Sequence, residues 1–83
     1  MAAIRWNKGG EAEVIEARDD RIALRSTNAG VPGSRLEGTL EDGTSIMVKV
    51  ARCKKNEGAF DIEGRLLDAT REVRDRIARL AHG

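Results

Sequence analysis

The chain is poor in aromatic residues, cysteine and proline, and these scarcities limit what the protein can be. Its 83 residues include one Phe, one Trp and no Tyr, so few large side chains are available for a core or for stacking on nucleic-acid bases. The lone cysteine, Cys53, cannot form an internal disulfide, which is typical of a reducing, cytoplasmic environment. No apolar run reaches about 18 residues, so no membrane-spanning helix is predicted.

The chain also lacks an excess of charge of one sign, because 15 basic residues oppose 14 acidic ones and the net charge is +1. Without a global field, general attraction to nucleic acid or anionic lipid is not expected, and any electrostatic function must be local. The first ten residues lack the apolar stretch of a signal peptide. We therefore expect one small cytoplasmic domain with no membrane partner.

Alternating apolar and charged residues predict a series of short β-strands. The predicted strands cover residues 11–18, 22–26, 36–40, 45–54 and 59–66. Loops and turns rich in Gly, Pro, Asn and Asp separate them, the longest at 27–34. Because all strands precede a single helix, we predict a mainly β fold, an antiparallel barrel of five or six strands. The expected division is an N-terminal segment (1–10), a barrel (11–67) and a C-terminal helix (68–82).

The periodicity changes near the C-terminus, where one amphipathic helix is predicted with Asp68 as its N-cap. Val73, Ile77 and Leu80 form one apolar stripe, which we expect to pack across one opening of the barrel. On the opposite face, four Arg against two acidic residues leave an excess of two positive charges. That face could dock an acidic partner or RNA, but its i,i+4 charge pairs favour an ordinary solvated surface.

Two segments, DGTSIMV at 42–48 and FDIEGRLLD at 60–68, stand out, and an Arg-rich amphipathic helix comes directly after the second. Together they resemble the PilZ domain. The resemblance covers roughly residues 5 to 81 and is carried by pattern and spacing more than by rare residues. It implies a closed six-stranded barrel with a C-terminal helix.

PilZ domains typically bind cyclic diguanylate (c-di-GMP), a bacterial second messenger, through an RxxxR element and a (D/N)xSxxG motif. In this chain RWNK, from Arg5 to Lys8, represents the first element, and RSTNAG occupies the place of the second. Thr27 stands where Ser is usual, Gly30 matches the motif, and Arg25 replaces the acidic or amide residue. The resemblance thus implies a ligand site formed by Arg5, Lys8, Arg25, Thr27 and Gly30.

The chemistry of these residues suits an anionic nucleotide. Arg side chains fork onto phosphates and stack on guanine, and a Lys keeps the charge without the fork. We expect Arg5, Lys8 and Arg25 to converge at one barrel end, where Gly30 would permit a positive φ and close backbone approach. Trp6 could stack on a base, although we favour a role in pinning the N-terminal segment over the barrel.

By this resemblance the protein would be a stand-alone signalling adaptor that couples c-di-GMP to a protein partner in motility, biofilm or type IV pilus function. The ligand would order the N-terminal segment and so expose or bury a partner surface. The alternative is a PilZ-like protein–protein interaction module that has lost nucleotide binding. A small RNA-binding barrel is a weaker hypothesis, because such barrels present several aromatic side chains and this chain has two aromatic residues.

Catalysis is not expected from this sequence. Cys53 has basic neighbours that could lower its pKa, but neither a His nor a second Cys accompanies it in sequence. His82 is the only histidine and lies in the last turn of the predicted helix. Metal-ligand spacings, phosphate-binding Gly-rich loops and Ser–His–Asp signatures are all absent from the sequence. We therefore predict no enzyme activity, no metal site and no cofactor.

Overall fold

The computed structural model describes residues 3–82 and shows a closed six-stranded antiparallel barrel followed by one helix. The elements are β1 (Ile4–Trp6), β2 (Glu11–Arg18), β3 (Arg21–Ser26), β4 (Arg35–Leu40), β5 (Ser45–Asn56), β6 (Ala59–Leu66) and α1 (Arg71–His82). The order around the barrel is β1-β2-β3-β6-β5-β4, and β1 closes it by pairing with both β2 and β4. The prediction of a small antiparallel barrel with a C-terminal helix is confirmed.

The core is built by the period-2 alternation that the sequence displays. On β3 the side chains of Ile22 and Leu24 point inward, and on β5 those of Ile46, Val48 and Val50 do the same. Their charged neighbours lie on the outer wall of the barrel. One face of each strand therefore faces the core while the other faces solvent, as expected for a half-buried antiparallel sheet.

Residues of the N-terminal segment form β1 of the barrel, whereas the sequence analysis placed the start of the barrel at residue 11. Ile4 is buried and lies opposite Ala12 on β2 and Leu40 on β4. The indole of Trp6 is also buried, and its Nε1–H donates to Ser26 Oγ at 2.9 Å. Trp6 thus anchors the segment from inside the barrel, and its ring is not exposed for stacking on a base.

The helix begins later than predicted, at Arg71 rather than Asp68. Thr70 is the N-cap, because its Oγ1 accepts a hydrogen bond from the backbone N–H of Val73 at 3.3 Å. Asp68 instead adopts a left-handed conformation with φ of 52° in the turn that precedes the helix. The N-cap prediction for Asp68 was therefore wrong by two residues.

The apolar face of α1 also differs from the predicted stripe. Ile77 is fully buried and Val73 is half-buried against the core, as expected. Leu80, however, is 39% exposed, and Ala81 packs against the core instead. The contact stripe thus runs at i, i+4 and i+8, through Val73, Ile77 and Ala81.

Contacts from α1 place it at the barrel end where β2 and β4 end. The helix packs against β2, and Arg76 forms an ion pair with Asp42 and donates to Thr44 Oγ1 at 2.9 Å in the β4–β5 turn. The same guanidinium donates to Glu72 at 2.8 Å, one turn earlier in the helix. Within residues 3–82, no helix combines the length and apolarity needed to cross a bilayer.

Candidate functional site

The β1–β2 turn and the β3–β4 loop meet at the opposite end of the barrel. The Asn28 side-chain amide donates to the backbone carbonyl of Gly9 at 2.9 Å. Next to it, the N–H of Thr27 donates to the Glu11 carbonyl at 2.9 Å, and Thr27 Oγ1 accepts from the Glu11 N–H at 3.0 Å. A Cβ on Gly10 would overlap the Asn28 amide, so this close approach requires glycine. We call this contact region the turn–loop junction.

Lys8 and Thr27 are the two expected site residues that lie at the turn–loop junction. Lys8 is exposed in the β1–β2 turn, within the segment that the Asn28 amide holds in place. The Thr27 hydroxyl also donates to Asn28 Oδ1 at 2.8 Å, so its hydrogen bonds are made within the junction. A ligand that contacts this hydroxyl would have to share or replace those bonds.

Arg5 and Arg25 lie on the outer wall, on either side of β2, and each has acidic neighbours. Arg5 on β1 is exposed and lies directly opposite Glu11. Arg25 on β3 lies between Glu13 and Asp61 in the strand register, and its Nε is 3.5 Å from Asp61 Oδ1. The Arg25 and Asp61 side chains are 54% and 41% exposed, so this ion pair contributes little to stability. The two guanidiniums therefore do not converge as the sequence analysis expected.

Gly30 has a packing role that differs from the predicted one. It is buried, and its φ lies outside the left-handed region in which glycine is favoured. A Cβ at this position would lie 2.9 Å from Val50 Cγ2 and 3.3 Å from Ile62 Cδ1. Its N–H donates to Cys53 Sγ at 3.4 Å, which ties the loop to β5. Glycine is thus required because the loop packs closely on the core, and the expected positive φ was wrong.

Two residues of the junction were missed by the sequence analysis. Ser26 is buried, and its Oγ accepts hydrogen bonds from Trp6 Nε1 at 2.9 Å and from the Asn28 N–H at 3.0 Å. Asn28 in turn holds the β1–β2 turn. A Ser at the inward-facing end of an alternating strand was the available signal for Ser26, since a polar residue at a core position needs a partner.

The junction offers hydrogen-bond donors and one cation but no metal-binding cluster. Within residues 3–82, no group of three or more His, Cys, Asp and Glu side chains is placed to hold a metal ion. The structure does contain a cleft of about 680 Å³, but it lies on the barrel wall formed by β2, β3, β5 and β6. Arg5, by contrast, borders a smaller cleft of about 410 Å³ shared with Glu11 and Glu41.

Comparison with known proteins gives no match to a protein-family model, to a curated protein or to a solved structure. The hypothesis about function therefore depends on the sequence patterns and on the geometry of the barrel and its loops.

Proposed function

We propose that this protein is a PilZ-like signalling adaptor that binds c-di-GMP at the turn–loop junction. The observation that carries the proposal is the pair of hydrogen bonds that join Asn28 to Gly9 and Thr27 to Glu11. They hold the RSTNAG loop against the turn that carries Lys8, so the two candidate elements share one barrel end. The resemblance in the β5 and β6 segments and in the Arg-rich helix supports the same proposal.

In this proposal the cations of the site contact the phosphates of the ligand. Lys8 provides a point charge at the junction, and Arg5 and Arg25, which do not converge with each other, contact the ligand separately from the two sides of β2. Because β1 is already a strand, the ligand acts by changing the β1–β2 turn rather than by ordering β1. A change in that turn alters the surface offered to a protein partner in motility, biofilm or pilus function. We place the adaptor in the cytoplasm, where its single cysteine stays reduced.

A second candidate is a PilZ-like protein–protein interaction module without nucleotide binding. The observation that favours it is the local charge balance, because Arg5 faces Glu11, and Arg25 lies between Glu13 and Asp61. Cations with carboxylates opposite them attract an anionic ligand less strongly than free cations do. In this case the partner surface would act without a ligand at the turn–loop junction.

Isothermal titration calorimetry with c-di-GMP separates the two candidates. Under the first proposal the wild-type protein releases or absorbs heat on binding, and Lys8→Ala and Arg25→Ala each weaken binding about ten-fold or more, as expected for loss of a charge-assisted contact. Lys55→Ala, which removes an exposed cation from the β5–β6 hairpin, is the matched control and leaves binding unchanged. Absence of heat with the wild-type protein rejects nucleotide binding, and partner capture that is insensitive to c-di-GMP then supports the second candidate.

A further inference from the structure

Five basic residues lie side by side across five adjacent strands of the barrel. Strand pairing places each of them directly opposite the next, and all are exposed on the outer wall. In order around the barrel they are Arg18 on β2, Arg21 on β3, Arg65 on β6, Lys49 on β5 and Arg35 on β4. We call this array the basic row. It was not visible in the sequence, because its members are contributed by five separate strands.

The basic row is unfavourable for folding alone, because like charges on directly opposed residues of neighbouring strands repel each other. Another row on the same barrel shows the usual arrangement. There Glu13, Arg25, Asp61 and Lys54 follow one another across β2, β3, β6 and β5, so that charges of opposite sign alternate. The barrel thus accommodates alternating charges on one part of its wall and concentrates a single sign on another. Such a concentration indicates an anionic partner.

The acidic groups near the basic row do not neutralise it. Asp20 lies 3.3 Å from Arg65 Nε, and Glu16 and Glu63 line the cleft of about 680 Å³ beside the row. Five cations against these three carboxylates leave a local excess of two positive charges. That excess is larger than the net charge of +1 of the whole chain, so the rest of the molecule is slightly negative in sum. An excess of the same size lies on α1, where four Arg accompany two acidic residues, but there Arg76 is paired with both Glu72 and Asp42.

The shape of the basic row discriminates among anionic partners. Neighbouring strands lie about 4.8 Å apart, so the row is roughly 20 Å long, and it follows the curved wall over five of the six strands. A flat bilayer can touch only part of such a curve. An extended acidic peptide turns every second carboxylate to one side, at intervals of about 6.8 Å, and polyglutamate is therefore one arm of the test. A phosphodiester chain carries one negative charge per nucleotide and can bend along the barrel wall.

The residue types of the basic row also suit a phosphodiester chain. Four of its five members are Arg, whose planar fork binds phosphate oxygens in pairs. The residues that line the adjacent cleft include no aromatic side chain, so this surface provides no platform for stacking bases. We propose that the basic row binds the phosphodiester backbone of a single-stranded nucleic acid without reading its sequence. The inference is independent of the turn–loop junction and of c-di-GMP.

The test uses fluorescence anisotropy with labelled single-stranded RNA of mixed sequence, about 16 nucleotides long, which is the upper site size of one small barrel domain. Five phosphate contacts predict a slope of about −3.5 for the logarithm of the association constant against the logarithm of salt concentration. Affinity should thus fall roughly 100-fold between about 50 and about 200 mM salt. Single-stranded DNA of the same sequence should bind equally well, because backbone contacts do not require the 2′-OH.

Two charge reversals on β5 provide a matched pair for this test. Lys49→Glu places a carboxylate in the middle of the basic row and should weaken RNA binding about ten-fold or more. Lys54→Glu changes the net charge by the same amount, but Lys54 lies in the alternating row, so binding should change less than about two-fold. Circular dichroism of both variants confirms that they are folded.

Three results would overturn the proposal. The first is absence of RNA binding by the wild-type protein at about 50 mM salt, and the second is an equal loss of binding in both charge-reversal variants. The third is equal or tighter binding to polyglutamate, to duplex RNA or to vesicles that contain phosphatidylserine, because it would identify another class of polyanion as the partner. None of these results depends on whether c-di-GMP binds.

Discussion

At the scale of single residues, Ser26 connects the core of the barrel to the turn–loop junction. It is the only polar residue among the buried side chains of residues 3–81, with 1% of its surface exposed. Its Oγ accepts from the indole of Trp6 inside the barrel and from the N–H of Asn28 in the loop. One hydroxyl oxygen therefore accepts the hydrogen bond of the indole that anchors β1 and also holds the backbone of Asn28 in the RSTNAG loop.

Replacement of Ser26 by Ala should be destabilising even though it removes only one oxygen atom. The buried indole N–H of Trp6 and the N–H of Asn28 would lose their acceptor, which costs about 1–3 kcal/mol of unfolding free energy. Urea denaturation monitored by Trp fluorescence measures this loss. The control is Ser45→Ala at an exposed position of β5, which should change stability by less than about 0.5 kcal/mol. Equal effects in the two variants would show that the Ser26 hydrogen bonds contribute nothing.

At the scale of secondary structure, two features hold α1 against the barrel. Thr70 caps the first turn, and Asp68 reverses the chain between β6 and the helix with a φ of 52°. At the other contact, Arg76 joins the helix to Asp42 and Thr44 in the β4–β5 turn. Apart from Arg76, the residues that make these contacts lie in turns, which sequence periodicity does not mark.

The two residues before α1 should respond differently to substitution. Thr70→Ala removes the capping hydroxyl and should lower the free energy of unfolding by about 0.5–2 kcal/mol. Asp68→Gly should leave stability unchanged or raise it slightly, because glycine adopts a positive φ without steric cost. Thermal denaturation followed by circular dichroism compares the two variants. If Asp68→Gly proves the more damaging change, the cap lies at Asp68 after all.

The β4–β5 turn should make stability depend on pH in the acidic range. Hydrogen bonds from the Thr44 hydroxyl and backbone N–H, assisted by the Arg76 charge, lower the pKa of Asp42 below its ordinary value of 3.8. The charged form is thus favoured in the folded state, so its stabilising effect is present above pH 3.8 and is lost as the pH falls through the lower folded-state pKa.

Comparison with Asp42→Asn tests this contribution. The variant should be less stable than the wild type at about pH 7. The difference should be smaller at about pH 3, which lies below the ordinary pKa of 3.8, because the unfolded chain takes up the proton there while the folded state still favours the charged form. Urea denaturation at the two pH values measures both differences. If the difference in unfolding free energy between the wild type and the variant stays constant on acidification, the ionised Asp42 has no such role.

At the scale of the whole molecule, the net charge is close to zero, but charges of opposite sign are distributed unevenly over the barrel wall. The alternating row places opposite charges next to each other, whereas the basic row does not. The net charge of +1 conceals this arrangement, because it averages over all zones. The order β2-β3-β6-β5-β4 is what brings the five cations into line.

The two charge reversals should therefore shift stability in opposite directions. Lys49→Glu places a carboxylate opposite both Arg65 and Arg35 and should stabilise the fold by about 0.2–1 kcal/mol at low salt. Lys54→Glu places it opposite Asp61 and should destabilise the fold by a similar amount. Urea denaturation at low and high salt measures both effects, which should diminish as salt screens the exposed charges. A stabilising effect of both reversals would mean that only net charge matters.

The strands that the alternation marked were predicted nearly to the residue, and the exceptions have physical causes. β1 was missed because three residues are too few to show a period of two, and only its pairing with β2 and β4 makes it a strand. The role of Gly30 was mistaken because its neighbours, Val50 and Ile62, come from distant strands. The expected convergence of Arg5 and Arg25 failed because β2, with its own acidic residues, lies between them.

The sequence alone determined the kind of fold, because hydrophobic alternation and turn residues act over a few neighbouring positions and are visible in the order of residues. The sequence also identified the RSTNAG loop and the RWNK segment as candidate ligand-binding elements. Only the tertiary structure decided which side chains meet: the acceptor of the Trp6 indole, the acidic neighbours of Arg25 and the line of five cations on the wall. Those contacts depend on strand order and register, which join residues far apart in the chain.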